Sequence, residues 1–397
     1  MTTQELIAAS NKYLANTYAR FPLVLVRGHG VRLWDTDGKE YLDCVGGIAV
    51  DALGHCHPKM VEAIRAQAET LLHVSNLYHI EPQIRLAQLL CEQSFADRAF
   101  FCNSGAEANE AAIKLARKYA KDHWSSDRVD IITMHHAFHG RTLATVTATG
   151  NPKYQHGFEP LLPGFKHVPY DNLRAVERAI DSRTCAVLVE PVQGEGGVNV
   201  PAADYLPGLR RLCDEAGILL ILDEVQSGMG RTGKLFAYQH WGVEPDILTL
   251  AKALAGGIPM GAMLAREDVA ASFVPGTHAS TFGGTPFVSA VALAVVTTML
   301  ADDLPGNAAR VGKYFLDRLR GLQATHPSIT AVRGKGLILG VEVAVPARGI
   351  VAACMERGLL VLTAGDNVVR FVPPLILTEA DVDRAVAILE AAFGSAT

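Results

Sequence analysis

Apolar and polar positions follow two periods along this chain, and the changes between them outline its elements. In the middle of the chain, apolar runs of strand length end in polar or glycine-rich residues, and stretches of helical period often follow. Ala99-Phe-Phe-Cys ends at Asn103-Ser-Gly, and Val129–Met134 ends at His135-His-Ala-Phe-His-Gly-Arg. Cys185–Val189 ends at Glu190-Pro-Val-Gln-Gly-Glu, Ile218–Leu222 at Asp223-Glu, and Ile247–Leu250 near Lys252. Near-continuous apolar strands separated by helices predict a mostly parallel sheet covered on both faces, an α/β architecture. In such sheets ligands sit outside the carboxyl ends of the strands, where all five polar clusters fall.

The flanking regions read differently. The pattern predicts an amphipathic helix over 5–20, short strands at Val24–Arg27 and Val31–Trp34, an extended run from Tyr41 to Val50, and a helix from Pro58 to about Thr70. Beyond a helix at Val288–Met299, the stretch Ala331–Val343, a helix near 349–357, Val368–Val372 and a last helix from Thr378 describe a smaller α+β domain. The expected division is an N-terminal segment 1–56 joining the small domain, a large domain 57–293 and a C-terminal small domain 294–397. No internal repeat or low-complexity segment interrupts the chain.

Composition narrows the function classes. The 397 residues are 49% apolar and 19% charged, with a formal net charge of -5 and no basic tract, so a nucleic-acid partner is not expected. No uninterrupted apolar run is long enough to span a bilayer, and the N-terminus lacks the basic and apolar regions of a signal peptide. Seven scattered cysteines without a Cys-x-x-Cys pattern read as reduced thiols of a cytoplasmic protein. His55, Cys56 and His57 match no zinc-ligand spacing, so no metal is expected.

Candidate chemistry centres on Lys252, the only charged residue between Asp246 and Arg266. A buried ammonium is costly, and lysine tolerates such a site by losing its proton, which yields an amine able to form a Schiff base. The competing reading is a strand-end lysine whose head reaches water. Ser104-Gly-Ala-Glu opens a helix directly after a strand, where backbone amides bind phosphate; Ser104 with Glu107 also fits an ordinary capping box. Asp223 ends an apolar run that discourages a free carboxylate, so its natural partner is a cationic ring nitrogen or an arginine, although strand-end aspartates commonly cap the next segment. Phe138 could stack on a planar cofactor and Arg141 could hold a carboxylate in two-point fashion, against core packing and a structural ion pair. His135, His136 and His139 read as local hydrogen-bonding residues. Glu195 and Arg370 are too far apart for spacing to pair them, and Ser280-Thr-Phe-Gly-Gly suits a phosphate or a plain turn.

In this order the motifs Gly54-His-Cys-His-Pro, Asn103-Ser-Gly-Ala-Glu-Ala-Asn, Phe138-His-Gly-Arg-Thr, Glu190-Pro-Val-Gln-Gly-Glu, Asp223-Glu-Val-Gln-Ser-Gly and Ala251-Lys-Ala resemble the class III aminotransferases among the fold-type I pyridoxal-phosphate enzymes. Within that family the resemblance is to the acetylornithine branch. It implies pyridoxal 5'-phosphate covalently bound to Lys252, with Asp223 at the pyridine nitrogen. Ser104, Gly105 and Ala106 would hold the phosphate, Phe138 would stack on the ring, and Glu224, Val225 and Gln226 would line it, Gln226 near the phenolic oxygen. Many relatives carry threonine where Ala106 stands. Thr281 would reach the phosphate across a homodimer interface, with Ser280 beside the substrate.

The resemblance further implies that Arg141 binds the far carboxylate, while Arg370, masked by Glu195, binds the carboxylate close to the reacting amine of glutamate. The implied reaction is ping-pong transamination of N2-acetyl-L-ornithine with 2-oxoglutarate, a step of arginine biosynthesis. Succinylornithine, N-succinyl-diaminopimelate, ornithine and 4-aminobutyrate remain as alternative amine donors. An aminomutase or a non-catalytic scaffold on the same fold stands further off, since the Glu195 and Arg370 pair suits glutamate turnover.

Overall fold

A computed structural model describes residues 1–394. Its central sheet has seven strands: β4 (Arg98–Cys102), β5 (Asp130–Met134), β6 (Phe165–Val168), β7 (Thr184–Val189), β8 (Leu219–Asp223), β9 (Ile247–Leu250) and β10 (Gly261–Ala265), ordered β4-β10-β9-β8-β7-β5-β6. The five strands from β9 to β6 are parallel, and β10 runs antiparallel to both β9 and β4. Strands β5, β7, β8, β9 and β10 are buried at every position, which is why their sequences are apolar without alternation.

The chain leaves β5 for β6 on one side and then crosses back to β7 on the other. This reversal opens a crevice between the loops after β5 and β7. The helix Gly105–His123 packs an alanine face, including Ala108, Ala112 and Ala116, over β9 and β10. The apolar helix Pro286–Ala301 packs against Pro58–Thr70 and Glu81–Glu92.

Two four-stranded sheets flank this core. One joins β1 (Leu25–His29), β2 (Arg32–Asp35) and β3 (Glu40–Asp43) to β13 (Leu359–Leu360), which lies parallel to β3. The other contains β11 (Ile329–Lys335), β12 (Ile338–Val343), β15 (Val368–Phe371) and β14 (Leu362–Thr363) in that order. Among the described residues no single helix is long and apolar enough to cross a membrane.

Two local expectations are corrected, and one stretch left without an assigned element takes a definite form. The first helix spans Thr3–Tyr13 instead of reaching residue 20; it buries no residue, so nothing in the chain extends it beyond its capped first turns. The run from Tyr41 to Val50 is strand only as far as Asp43. It then turns through Gly47 and Ile48 at φ 61° and 66°, which no strand can contain. The stretch Ala331–Val343 is a hairpin, reversed at Gly336 with φ 58°.

Candidate active site

The carboxyl ends of β4, β5, β7, β8 and β9 converge on one cavity of about 450 Å³, whose lining includes Lys252, Asp223, Phe138, Arg141, Glu195 and Gln226. Lys252 follows β9 in a single tight turn and adopts φ 48°, a left-handed conformation rare for a side chain of this kind. Burial drives the pKa of its amine below the ordinary lysine value, with Arg370 acting in the same direction and Glu195 opposing. A larger share of the amine is therefore neutral and nucleophilic.

Asp223, at the end of β8, is 3% exposed and rigidly held. Its Oδ2 accepts hydrogen bonds from Asn109 Nδ2 at 2.7 Å and His139 Nδ1 at 2.8 Å, and its Oδ1 accepts the Val225 amide at 2.9 Å. Asn109 is itself fixed, donating also to the His139 carbonyl at 2.8 Å and accepting from the Thr249 hydroxyl at 2.8 Å. Asn109 and Thr249 escaped the sequence reading. The available signal was one polar residue on the alanine face of a helix, one turn after Gly105.

Ser104, also in the cavity lining, caps the helix Gly105–His123, its hydroxyl accepting the Glu107 amide at 3.2 Å. The expected reciprocal bond is absent. The Glu107 carboxylate instead accepts the Asn103 amide at 2.5 Å and Asn103 Nδ2 at 2.9 Å. The Gly105 and Ala106 amides lie in the first turn, where no intrahelical acceptor exists. A Cβ on Gly105 would stand 2.7 Å from Val225 Cγ1, so this approach of helix to loop requires glycine.

Phe138 forms an edge contact with Tyr154 at 5.8 Å, and the Arg141 guanidinium lies over Tyr154 at 4.1 Å. The Phe138 amide donates to Glu190 Oε2 at 3.1 Å. Glu190 is buried, and burial raises its pKa to about 7, partly offset by His139. No role for this glutamate was foreseen beyond its place in a motif.

Arg370 on β15 and Glu195 after β7 meet as an ion pair of 2.6 Å across 175 residues of chain. Burial pushes the Glu195 pKa up, but the Arg370 charge outweighs it and holds the carboxyl below its ordinary value. Glu224 points elsewhere: its carboxylate accepts the amides of Ala237 and Tyr238 at 2.6 and 2.7 Å, outside the cavity lining. Ser280 is half-buried, accepting from Asn103 Nδ2 at 3.2 Å, and Thr281 is exposed; neither lines the cavity within one chain. His55 stands against Asp43, Nε2 to Oδ2 2.7 Å, away from this cavity.

The profile of the class III aminotransferase family matches residues 13–393. The chain belongs to the class III aminotransferases. The acetylornithine aminotransferase of Caldanaerobacter subterraneus subsp. tengcongensis is 52% identical over 386 residues, covering 97% of this chain and 98% of that protein. Among solved structures, the acetylornithine aminotransferase of Elizabethkingia anophelis superimposes with a TM-score of 0.90 at 34% identity, covering both chains completely at 100%. The ornithine aminotransferase of Toxoplasma gondii, described with partial occupancy of PLP at its active site, gives 0.95 at 36% identity over 99% of this chain and 95% of that one.

This aminotransferase uses pyridoxal 5'-phosphate, as its family does. The cavity fits that group. It offers helix-start amides for a phosphate, a flat aromatic face, a depressed-pKa amine and a carboxylate that three donors keep in place. The Gly105 cradle, which a Cβ would fill, brings the helix start against Val225 beside Asp223.

Proposed function

We propose that this aminotransferase moves the δ-amino group of N2-acetyl-L-ornithine to 2-oxoglutarate. The products are N-acetyl-L-glutamate 5-semialdehyde and L-glutamate, formed in two alternating half-reactions. The observation that carries this reading is a pair of unlike arginines at one cavity. Arg141 is exposed, makes no ion pair among the described residues and is held over an aromatic ring. Arg370 is 2% exposed and neutralised by Glu195. A substrate reacting at its δ-amine carries one carboxylate, far from the chemistry, which suits Arg141. A substrate reacting at its α-amine carries a second carboxylate close by, which suits Arg370 once Glu195 yields. The names of the relatives support the acetylated donor.

Bound here, pyridoxal phosphate supplies a carbonyl for amine exchange and a ring that accepts electron density. Lys252 is the residue that would carry it, and its amine would serve as the base that holds and returns the proton of the reacting carbon. Asp223, fixed by its three donors, would face the ring nitrogen and hold a proton there. Gly105 and Ala106 would bind the phosphate through their amides, and Phe138 would offer its face to the ring.

The active unit in this proposal is a homodimer. Leu71, Leu72, Leu77, Tyr78 and Phe282 are exposed on one chain, and covering them with a second copy would bring Ser280 and Thr281 toward a shared site. The three-unit division at 56 and 293 and a cytoplasmic setting, suggested by seven free thiols, are part of the same proposal.

The test is a panel of acetylornithine, ornithine, succinylornithine, succinyl-diaminopimelate and 4-aminobutyrate, each with 2-oxoglutarate. Acetylornithine is expected to give the highest kcat/KM. A panel led by unblocked ornithine or 4-aminobutyrate would refute the assignment.

A further inference from the structure

The Arg370–Glu195 pair has a third member. Gln226 Nε2 donates to Glu195 Oε1 at 3.3 Å, the same oxygen that accepts Arg370 Nη1 at 2.6 Å. The Gln226 carbonyl oxygen in turn accepts Arg370 Nη1 at 3.1 Å. The amide orientation is unambiguous, because guanidinium only donates and carboxylate only accepts. Gln226 is also wedged in place: a Cβ on Gly194 would come within 2.1 Å of its Oε1, so the amide lies flat against that glycine. It is 7% exposed, and Arg370 Nε is buried without a partner.

From this geometry we infer that Gln226 is a second ligand for the near carboxylate of the α-amino and 2-oxo acid substrates. Glu195 Oε1 sits where two fixed donors converge, so it marks the position of a substrate carboxylate oxygen. When Glu195 swings out, an incoming carboxylate inherits both donors and finds the unpartnered Arg370 Nε as well. The Gln226 carbonyl, bonded to Arg370, keeps the guanidinium aimed while its ionic partner changes. The gate therefore opens without stranding a buried cation, and a monocarboxylate amine donor leaves it closed. Selectivity between the half-reactions then depends on an uncharged side chain as well as on the ion pair.

The inference rests on reading Arg370 as the near-carboxylate site, and the experiment separates the two. Binding of glutarate, a five-carbon dicarboxylate with no amine or oxo group, is measured calorimetrically on the holoenzyme alongside single-turnover rates of both half-reactions. Gln226→Met, with cofactor content checked, is expected to weaken glutarate at least fivefold and to slow the glutamate half at least fivefold more than the amine-donor half. Glu195→Ala is expected to tighten glutarate, and adding Gln226→Met to it to remove part of that gain. Equal slowing of both halves with glutarate affinity unchanged would show that Gln226 serves the cofactor alone and overturn the inference. No glutarate binding by the parent, with Arg370→Ala harming both halves equally, would overturn the underlying reading first.

Discussion

His139→Leu isolates the support behind Asp223. The substitution removes the donor at 2.8 Å from a carboxylate that is 3% exposed, while Asn109 at 2.7 Å still serves the same oxygen. A hydrogen bond to a charged group contributes about 1.5–3 kcal/mol, and the remaining donor places the loss toward the lower end, roughly 1.5–2 kcal/mol. At about 1.4 kcal/mol per factor of ten, kcat/KM falls by about 10–30-fold. Both half-reactions are expected to fall together, because in the proposed arrangement Asp223 would act on the cofactor and not on either substrate. Asn at 139 places an amide nitrogen near the position of Nδ1, so His139→Asn is expected to recover part of the loss. The assay is single-turnover kinetics of each half, with the cofactor dissociation constant and the visible spectrum of the bound cofactor as independent readouts. Leucine and parent enzymes agreeing within twofold, with identical spectra, would refute the argument, as would damage confined to one half-reaction.

Gly105→Ala drives a methyl group to 2.7 Å from Val225 Cγ1, an overpacking of about 1–3 kcal/mol that separates helix from loop; cofactor affinity, measured by dialysis, is expected to drop about tenfold or more. Arg370→Ala is expected to slow the glutamate half by at least about a hundredfold, in keeping with roughly 3–5 kcal/mol for breaking a buried pair, while the acetylornithine half slows far less; equal damage in both would count against two separate carboxylate positions. Glu190, with its pKa raised to about 7 by burial, gives a signed pH effect. Between the ordinary glutamate value and 7 the folded chain keeps a proton that the unfolded chain has lost, so stability falls as pH rises and levels off above that window. Glu190→Gln lacks this loss: its melting temperature is expected to gain on the parent from pH 5 to 7.5, and a constant difference across that range would contradict the assignment.

The parallel sheet was legible because strands such as β7 and β8 are buried on both faces, which makes their sequences apolar without interruption. Their polar endings marked the residues that line one cavity, since a charged residue at the end of an apolar run has nowhere else to go. Lys252 stood out for the same reason. The irregular parts resisted. The N-terminal helix stops at Tyr13 because its length was never written in a buried face, and the turn through Gly47 and Ile48 depends on backbone angles that alternation cannot report.

The chain by itself determined the layered architecture, the buried lysine and the set of groups available to a site, because burial and periodicity leave marks at each position separately. Only the tertiary structure decided which groups share atoms. Arg370, Glu195 and Gln226 converge from β15 and from the loops after β7 and β8, and Asn109, Thr249 and His139 close around Asp223 from a helix, a strand and a loop. Such meetings are set by the order of strands in the sheet and the way helices cross it, and the distance between two residues along a chain carries no trace of either.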